Sequence, residues 1–217
     1  MTGLEIALDK PGSPGSLLMR HAERFEISPM EGGHDTKLTD QGRQQAEHLG
    51  TLIGPRIGRL ITSSVPRCIE TAEAMRKGSG LAIPICTDWR PGNPGVWITD
   101  TKSAGEAFRS FGPREVVRHQ VSGKNLKGLR DLDGGTRLML DCLLDGIPNN
   151  DRSIDVFISH DAVIAPLLGR LIAGADIDYI WPNFLEGALI TQSGNQIELL
   201  WRGRLHRFSK ERIWCAK

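Results

Sequence analysis

The chain has 217 residues, and its 27 Lys and Arg nearly balance its 26 Asp and Glu, giving a formal net charge of +1 at pH 7. This length is typical of one domain with room for an inserted segment, and it allows a sizeable buried core. A net charge this close to zero excludes the strongly positive surface that binds nucleic acid or an anionic membrane. An anion must therefore be bound locally, by a few convergent cationic side chains.

Cysteine usage and the N-terminal segment favour a cytoplasmic protein. The cysteines form no CxxC pair, zinc-site spacing or disulfide framework, and we expect free thiols. They are Cys68, Cys86, Cys142 and Cys215. Segment 1–15 lacks the basic region and apolar run of a signal peptide, so we predict a flexible leader before one domain over 16–217. No apolar run approaches the ~20 residues that a membrane helix needs.

Strands alternate with helices in the first part of the chain. A short apolar strand at Ser16–Met19 precedes a helix at Asp40–Ile53, where apolar residues recur at spacings of three and four. Thr39 is the predicted N-cap of that helix. A second strand at Arg59–Thr62 leads into a helix that carries Pro66 in its first turn.

This second helix has two N-cap candidates, Ser63 and Ser64, and glycines end it at Gly78 and Gly80. A third strand is predicted at Ile83–Cys86. The alternation of strand and helix up to this point is typical of a parallel sheet covered by helices.

Segment 88–135 interrupts the alternation. It is rich in glycine, proline and charge, and its one clear helical piece lies near Arg114–His119. We interpret this segment as a small cap inserted beside the site. Aromatic and cationic residues of the insertion either line the mouth of the pocket or hold the insertion down on the domain. They are Trp89, Arg90, Trp97 and Arg114.

Strands and helices alternate again after the insertion. A helix at Thr136–Leu144 ends near Gly146, and the apolar run Ile154–Ile158 is typical of a central parallel strand. An apolar helix at Ala162–Ala173 and a hairpin over 187–201 follow. The whole pattern predicts a three-layer α/β sandwich with a mainly parallel central sheet and a small inserted cap.

Reactive polar residues come directly after three of the predicted strands. In chain order they are Arg20, His21, Arg24, Arg67, His160 and Asp161. Because the carboxyl ends of parallel strands share one edge of the sheet, we expect these side chains to meet there. Arginine offers planar paired donors to phosphate oxygens, and nearby positive charge keeps a histidine neutral and nucleophilic. No carboxylate–histidine spacing indicates a metal site.

Four motifs resemble those of the histidine phosphatase superfamily, also called the phosphoglycerate mutase-like family, and they occur in the family's order. Arg20-His21-Ala22 is similar to its Arg-His-Gly run, with Ala22 at the glycine. Segment 35–46 resembles D-x-x-L-T-x-x-G-x-x-Q-A, and segment 63–72 resembles S-S-x-x-x-R-x-x-x-T-A. Segment 158–161 resembles the strand that carries the second histidine.

The resemblance implies a phosphoric monoester hydrolase that works through a phosphohistidine. By position, His21 is the nucleophile, and Arg20, Arg67 and His160 bind the phosphoryl oxygens. The implied substrate is a small-molecule phosphate ester, and the resemblance calls for no metal and no cofactor. Splitting the reaction over a phosphohistidine divides one difficult displacement into two easier ones.

The proton donor departs from the pattern of the small members. Many of them carry a glutamate in a run like L-x-E-x-x-x-G-x-W, and segment 89–97 fits this spacing with Pro91 in the glutamate position. Asp161 and Arg24 instead resemble the His-Asp pair and the R-H-G-x-R run of the acid-phosphatase and phytase members. That likeness implies Asp161 as the acid and Arg24 as a further phosphate ligand. Helix capping explains Asp161 nearly as well, and Glu23 is the alternative acid.

Three other functions stay open at this point. A phosphoglycerate-mutase-type phosphoryl transfer is the nearest, although Pro91 counts against it. A protein phosphohistidine phosphatase is another, and the insertion favours a small-molecule substrate over it. A non-catalytic phosphate-binding domain has no need of a nucleophile, so His21 and His160 count against that function.

Overall fold

The computed structural model describes residues 14–27, 33–145, 153–172 and 174–214. The strands are β1 (Gly15–Arg20), β2 (Ile57–Thr62), β3 (Ile85–Thr87), β4 (Ile154–Ser159), β5 (Gly187–Ser193), β6 (Gln196–Trp201) and β7 (Arg204–Ser209). The helices within these residues are α1 (Asp40–Ile53), α2 (Pro66–Ser79), α3 (Thr101–Phe111), α4 (Pro113–Val121), α5 (Leu132–Leu144), α6 (Asp161–Leu171), α7 (Ile177–Ile180) and α8 (Glu211–Trp214).

The strands form one seven-stranded sheet in the order β3-β2-β4-β1-β5-β6-β7. The first four strands of the chain pair in parallel, and β5, β6 and β7 add antiparallel pairings at one side. Helices cover both faces of this sheet. The predicted α/β fold with a mainly parallel central sheet is therefore confirmed.

The register of the central strands brings their carboxyl ends together. Arg20 lies opposite Ser159 across the β1–β4 pair, and Thr62 lies opposite Ile158 across the β2–β4 pair. The segments that follow β1, β2 and β4 consequently leave the sheet at one edge. Open α/β sheets place their ligands at this edge.

Side chains that alternate along the strands fill two cores. Leu17 and Met19 lie on the face covered by α1 and α2, whereas Leu18 lies on the face covered by α5 and α6. The β4 strand is buried over its whole length. Burial on both faces explains why its sequence is almost continuously apolar.

The helix after β1 begins and ends where the sequence predicts it. The hydroxyl of Thr39 accepts a hydrogen bond from the Gly42 amide at 2.9 Å. This contact satisfies one of the free N–H groups at the N-terminus of α1. Strand ends differ from the predicted ones by at most about two residues, which is the usual uncertainty of such boundaries.

The N-terminus of α2 corrects the sequence prediction. Its N-cap is Val65 rather than Ser63 or Ser64, and no side chain caps the helix. Pro66 occupies the first turn as predicted and has no N–H of its own, so the helix has one donor fewer to satisfy. The hydroxyl of Ser63 has a different role, in the site described below.

Segment 88–135 contains more helix than the sequence predicts. The whole of α3 is missing from the prediction, and α4 extends the piece expected near Arg114–His119. α5 begins at Leu132 rather than at Thr136, because the carboxylate of Asp131 caps it through a 2.7 Å hydrogen bond from a first-turn amide. A cap formed by this segment stays a prediction.

The C-terminal part differs in two places. α6 begins at Asp161 and ends at Leu171, rather than covering Ala162–Ala173, and residue 173 lies outside the described residues. β7 is a strand that the sequence analysis missed. Of the other predictions, the helix end near Gly146 and residues 1–13 of the leader lie outside the described part, while Gly15 already belongs to β1.

Candidate functional site

His21 lies directly after β1 and is 2% exposed. Its Nδ1 donates a hydrogen bond to the carbonyl oxygen of Ala22 at 2.8 Å. The ring is therefore protonated on Nδ1, and Nε2 accepts a hydrogen bond from Nε of Arg67 at 3.0 Å. Burial, followed by the charge of His160, lowers the pKa of His21 to about 2. At neutral pH Nε2 is consequently unprotonated, and its lone pair points at the Arg67 guanidinium.

His160 follows β4 and faces the first ring, with the two ring centroids 5.5 Å apart. Its Nδ1 accepts a hydrogen bond from Nη2 of Arg67 at 3.2 Å. Nε2 therefore carries the proton and donates it to the hydroxyl of Ser63 at 3.1 Å, and that hydroxyl donates to the carbonyl of Gly92 at 2.9 Å. Burial and the charge of Arg67 lower the pKa of His160 to about 3.

Arg67 lies in the first turn of α2, between the two rings. Its remaining terminal nitrogen, Nη1, donates to the carbonyl of Gly33 at 2.7 Å. One turn later, Thr71 donates to the carbonyl of Arg67 at 2.7 Å and accepts from the amide of Ala22 at 3.1 Å. Thr71 thus ties the arginine to the backbone of the segment that carries His21.

Arg20 ends β1 and is nearly buried. Its Nη2 forms an ion pair with Asp161 at 2.7 Å, and its Nη1 donates to the carbonyl of Pro182 at 2.9 Å. The guanidinium carbon lies 4.1 Å from the ring centroid of Phe184, a cation–π distance. The buried Nε of Arg20 has no hydrogen-bond partner among the described residues.

The family match decides what this arrangement belongs to. Residues 16–192 match the model of the histidine phosphatase superfamily (branch 1). The chain belongs to this superfamily. The match covers the four motifs that carry the predicted resemblance.

Proteins similar to this chain agree with the family match. The chain is 30% identical over 176 residues to a glucosyl-3-phosphoglycerate phosphatase of Mycolicibacterium vanbaalenii, covering 76% of each chain. A native mycobacterial glucosyl-3-phosphoglycerate phosphatase structure superposes with a TM-score of 0.58 at 16% identity, covering 94% of this chain and 99% of that one. YhfR of Bacillus stearothermophilus gives 0.58 at 21% identity, covering 90% and 96%. The two structural likenesses show the shared fold.

The alanine at the family's glycine position is accommodated without strain. Ala22 is fully buried, and its φ is not among the positive values of the described residues. An L-residue therefore adopts this backbone freely.

Asp161 is the first residue of α6, and His160 is the N-cap. One carboxylate oxygen, Oδ1, accepts from the amide of Ala162 at 2.7 Å, and the other holds Arg20. The structure therefore brings the predicted acid to Arg20, and it also gives the carboxylate a share in satisfying the helix terminus. Its role as proton donor stays a prediction.

The two residues after Ala22 lie at the edge of the histidine phosphatase site. Nη1 of Arg24 donates to the carbonyl of Phe25 at 2.8 Å, and the charge of Arg24 contributes to the lowered pKa of His160. Glu23 accepts from the hydroxyl of Thr39 at 2.8 Å, at the N-terminus of α1. Glu23 thus holds the N-cap residue of α1 in place, whereas the positive charge of Arg24 acts on His160 inside the site.

The loop that holds the family's glutamate position lies against His160. The carbonyl of Pro91 accepts from the hydroxyl of Ser159, and a Cβ added at Gly92 would lie 2.7 Å from Cδ2 of His160. The carboxylate of this loop, Asp88, is paired with Arg90 at 2.6 Å. The loop therefore shapes the site through its backbone.

The aromatic and cationic residues of segment 88–135 make different contacts. Trp97 is 2% exposed and donates to the carbonyl of Val163 at 2.8 Å, so it fastens the segment to α6. Trp89 is half exposed, and Arg114 lies over the ring of Trp181, 5.0 Å from its centroid. A place for any of them at the mouth of the pocket stays a prediction.

Sequence reasoning missed three contributors to the site. Ser63 and Thr71 lie within the motif at 63–72, which was the available signal, but their hydrogen bonds connect segments far apart in the chain. Phe184, 5.7 Å from the ring of His21 by centroid distance, belongs to a segment with no motif.

The described residues contain no group of three or more His, Cys, Asp or Glu side chains placed to hold a metal ion. In the same part of the chain, no helix has both the length and the apolar character needed to span a membrane.

Proposed function

We propose that the protein hydrolyses small-molecule phosphomonoesters through a phosphohistidine on Nε2 of His21. The observation that carries the proposal is the buried, neutral ring of His21, whose Nε2 lone pair faces the guanidinium of Arg67 at 3.0 Å. Positive charge beside an unprotonated nitrogen is what attack on a phosphate dianion requires. Membership of the histidine phosphatase superfamily supports the same reaction.

In the first step, Nε2 of His21 attacks phosphorus and the ester P–O bond breaks. The leaving oxygen takes a proton from Asp161. In the second step, water attacks the phosphoryl group, Asp161 accepts a proton from that water, and the P–N bond breaks to release phosphate and free His21. The two displacements restore every group to its starting protonation state.

The phosphoryl oxygens are bound by Arg20, Arg67 and His160, with Arg24 as a further ligand at the edge. The unpartnered Nε of Arg20 supports this assignment, because a phosphoryl oxygen satisfies a buried donor that the protein itself leaves open. The two N–H groups of Arg67 that now reach the histidines are the donors that would turn to the phosphoryl group.

Asp161 can donate a proton only once its ion pair with Arg20 loosens. Arrival of a phosphoryl dianion gives the guanidinium a competing partner and places negative charge beside the carboxylate. The carboxylate released from Arg20 then takes up one proton from bulk water, and this is the proton that the leaving oxygen receives in the first step. In this proposal, binding of the substrate is what allows Asp161 to act as the proton donor.

Phosphate esters of small hydroxy acids are the first substrates to examine, since the curated relative acts, by its name, on a phosphoglycerate derivative. Mutase-type transfer and dephosphorylation of a protein phosphohistidine are the competing activities. Free phosphate released from a small ester distinguishes hydrolysis from both.

The test is phosphate release by the wild-type protein, by His21→Ala and by His48→Ala, the last being an exposed histidine of α1. We expect His21→Ala to lower the turnover rate at least about 10³-fold, as loss of a nucleophile does, and His48→Ala to keep it. A chelator should leave the rate unchanged. Equal rates for the wild-type and His21→Ala proteins would overturn the proposal.

A further inference from the structure

The turn between β6 and β7 lies at the same edge of the sheet as the site, because β6 ends beside the start of β5 and β5 starts beside the end of β1. It has two residues, Arg202 and Gly203, and Trp201 pairs with Arg204 across it. The φ values of Arg202 and Gly203 are +46° and +75°. Turns with two positive φ values favour Asn-Gly, and an arginine at the first position is strained. The contacts of its side chain therefore explain this arginine better than the turn does.

The guanidinium of Arg202 holds both ends of segment 178–186. At the far end, its Nε and Nη2 donate to the two carboxylate oxygens of Glu186 at 2.7 and 2.8 Å. At the near end, Nη1 and Nη2 donate at 3.0 to 3.3 Å to three backbone carbonyls, those of Asp178, Tyr179 and Trp181. A guanidinium has five N–H groups, and these five hydrogen bonds use them all. We call this set of hydrogen bonds the Arg202 clamp.

The residues between the two ends of the clamp contact the arginine that ends β1. The carbonyl of Pro182 accepts from Nη1 of Arg20 at 2.9 Å, and the ring centroid of Phe184 lies 4.1 Å from the guanidinium carbon of Arg20. The carbonyl of Glu186 accepts from the backbone amide of Arg20 at 3.0 Å. Phe184 also lies beside the ring of His21. The clamp thus fixes, at both ends, the segment that places Arg20.

We propose that Arg202 is a positioning residue for phosphoryl binding, and that it acts on Arg20 through segment 178–186. The inference rests on the proposed phosphatase function, in which Arg20 binds a phosphoryl oxygen. Without the clamp, the segment and the guanidinium of Arg20 gain conformational freedom, which the binding of phosphate must remove again. A guanidinium that is oriented in advance binds the phosphoryl group without that cost.

The experiment measures dissociation constants of inorganic phosphate by calorimetry, at a temperature where thermal melts show the variants to be folded. Arg202→Asn removes the clamp and gives the turn a residue that it favours. Glu186→Gln removes the charge from the far end of the clamp. Arg204→Gln is the control, since Arg204 follows the same turn and lies over the ring of Tyr179, 5.9 Å from its centroid.

We expect Arg202→Asn to weaken phosphate binding about 10- to 100-fold, the usual contribution of a hydrogen bond to a charged group, and Arg204→Gln to change it less than about 2-fold. Glu186→Gln should also weaken the binding, whereas the loss of a negative charge alone would tighten the binding of an anion. Opposite effects of the two clamp variants, or unchanged binding by folded Arg202→Asn protein, would overturn the inference. If Arg202→Asn does not fold, the direction of the Glu186→Gln effect decides the question.

Phe184→Leu tests the route from the clamp to Arg20. Because Arg202→Asn and Phe184→Leu disturb the same arginine, the double variant should bind phosphate about as weakly as the weaker-binding single variant. Losses that multiply would contradict this route and overturn the inference. Phosphate release by the wild-type protein is scored separately, so a failure of the phosphatase proposal is recognised on its own.

Discussion

At the scale of single residues, the two histidines present opposite ring nitrogens to one guanidinium. His21 carries its proton on Nδ1 and His160 on Nε2, because each of these N–H groups donates a hydrogen bond to an oxygen, the carbonyl of Ala22 and the hydroxyl of Ser63. Arg67 donates to both unprotonated nitrogens. One planar cation therefore contacts the unprotonated nitrogen of each ring, and these groups are already oriented for the phosphoryl group that we propose they bind.

The proton donor gives the first prediction at this scale. Asp161→Asn should lower turnover of an alkyl phosphate about 10²- to 10⁴-fold, the range of general acid catalysis. Turnover of p-nitrophenyl phosphate should change far less, because its leaving group departs without a proton. Glu23→Gln is the control, since Glu23 is held at the cap of α1.

The ion pair between Asp161 and Arg20 suggests a different role for the carboxylate, that of positioning the arginine. If Asp161→Asn slows both esters equally, the carboxylate serves to hold Arg20 in place and the acid must be sought elsewhere. Binding of inorganic phosphate, measured beside the rates, separates the two roles, because a displaced arginine weakens binding and a missing acid does not.

The sequence predicts which residues form this site, but not the contacts between them. Arg20, His21, Arg67 and His160 could be placed together because each follows a predicted strand end at one sheet edge. The hydrogen bond between Ser63 and His160 could not be predicted, since it depends on side-chain directions after folding.

At the scale of elements, the loop between β3 and α3 determines where His160 lies. Gly92 has φ +140°, its carbonyl accepts a hydrogen bond from Ser63, and a Cβ added to it would lie 2.7 Å from Cδ2 of His160. A side chain at this position would meet both a forbidden backbone conformation and a filled space. We expect this loop to act on the site through its shape, since Pro91 stands where the resembled motif has a glutamate.

Gly92→Ala should therefore reduce kcat/KM by about 10²-fold, the loss typical of a misplacement near 1 Å. Gly112→Ala, at φ +75° with open space around its Cβ, is the matched control for backbone strain alone. We expect the control to retain its activity. Steady-state kinetics on both variants, with thermal melts to verify folding, would contradict the account if the two proteins lost activity alike.

The two elements that the sequence analysis missed have different causes. α3 has apolar residues at helical spacing, Ala104, Ala107, Phe108 and Phe111, and a capping Asp100, so its signal was present in the sequence but was overlooked in a segment interpreted as an irregular insertion. β7 has one buried residue, Phe208, and owes its strand conformation to pairing with β6. Tertiary pairing rather than local pattern therefore defines β7.

At the scale of the whole molecule, the two buried neutral histidines make the protein less stable at acidic pH. Folding lowers the pKa of His21 to about 2 and that of His160 to about 3, whereas both titrate near 6.5 when unfolded. Below that value the unfolded chain binds more protons than the folded one, so the free energy of unfolding falls as the pH falls. This stability is fully present above pH ~6.5.

Between about pH 6 and pH 5, each histidine should remove about 1.4 kcal/mol of unfolding free energy per pH unit. Urea denaturation at a series of pH values measures this slope. His21→Asn should remove about half of the histidine contribution, whereas His48→Gln, on the surface of α1, should keep all of it. A stability that stays level or rises across this interval would show that the two rings are protonated in the folded protein.

The central claim, that His21 carries the phosphoryl group, is tested most directly by trapping the intermediate. The wild-type and His21→Ala proteins are mixed with p-nitrophenyl phosphate, quenched within the first turnover in alkali, which preserves an N–P bond, and digested for mass spectrometry. The account predicts one phosphoryl group on the peptide that contains His21, absent from His21→Ala. Label on another residue, or an equal rate of phosphate release by both proteins, would contradict it.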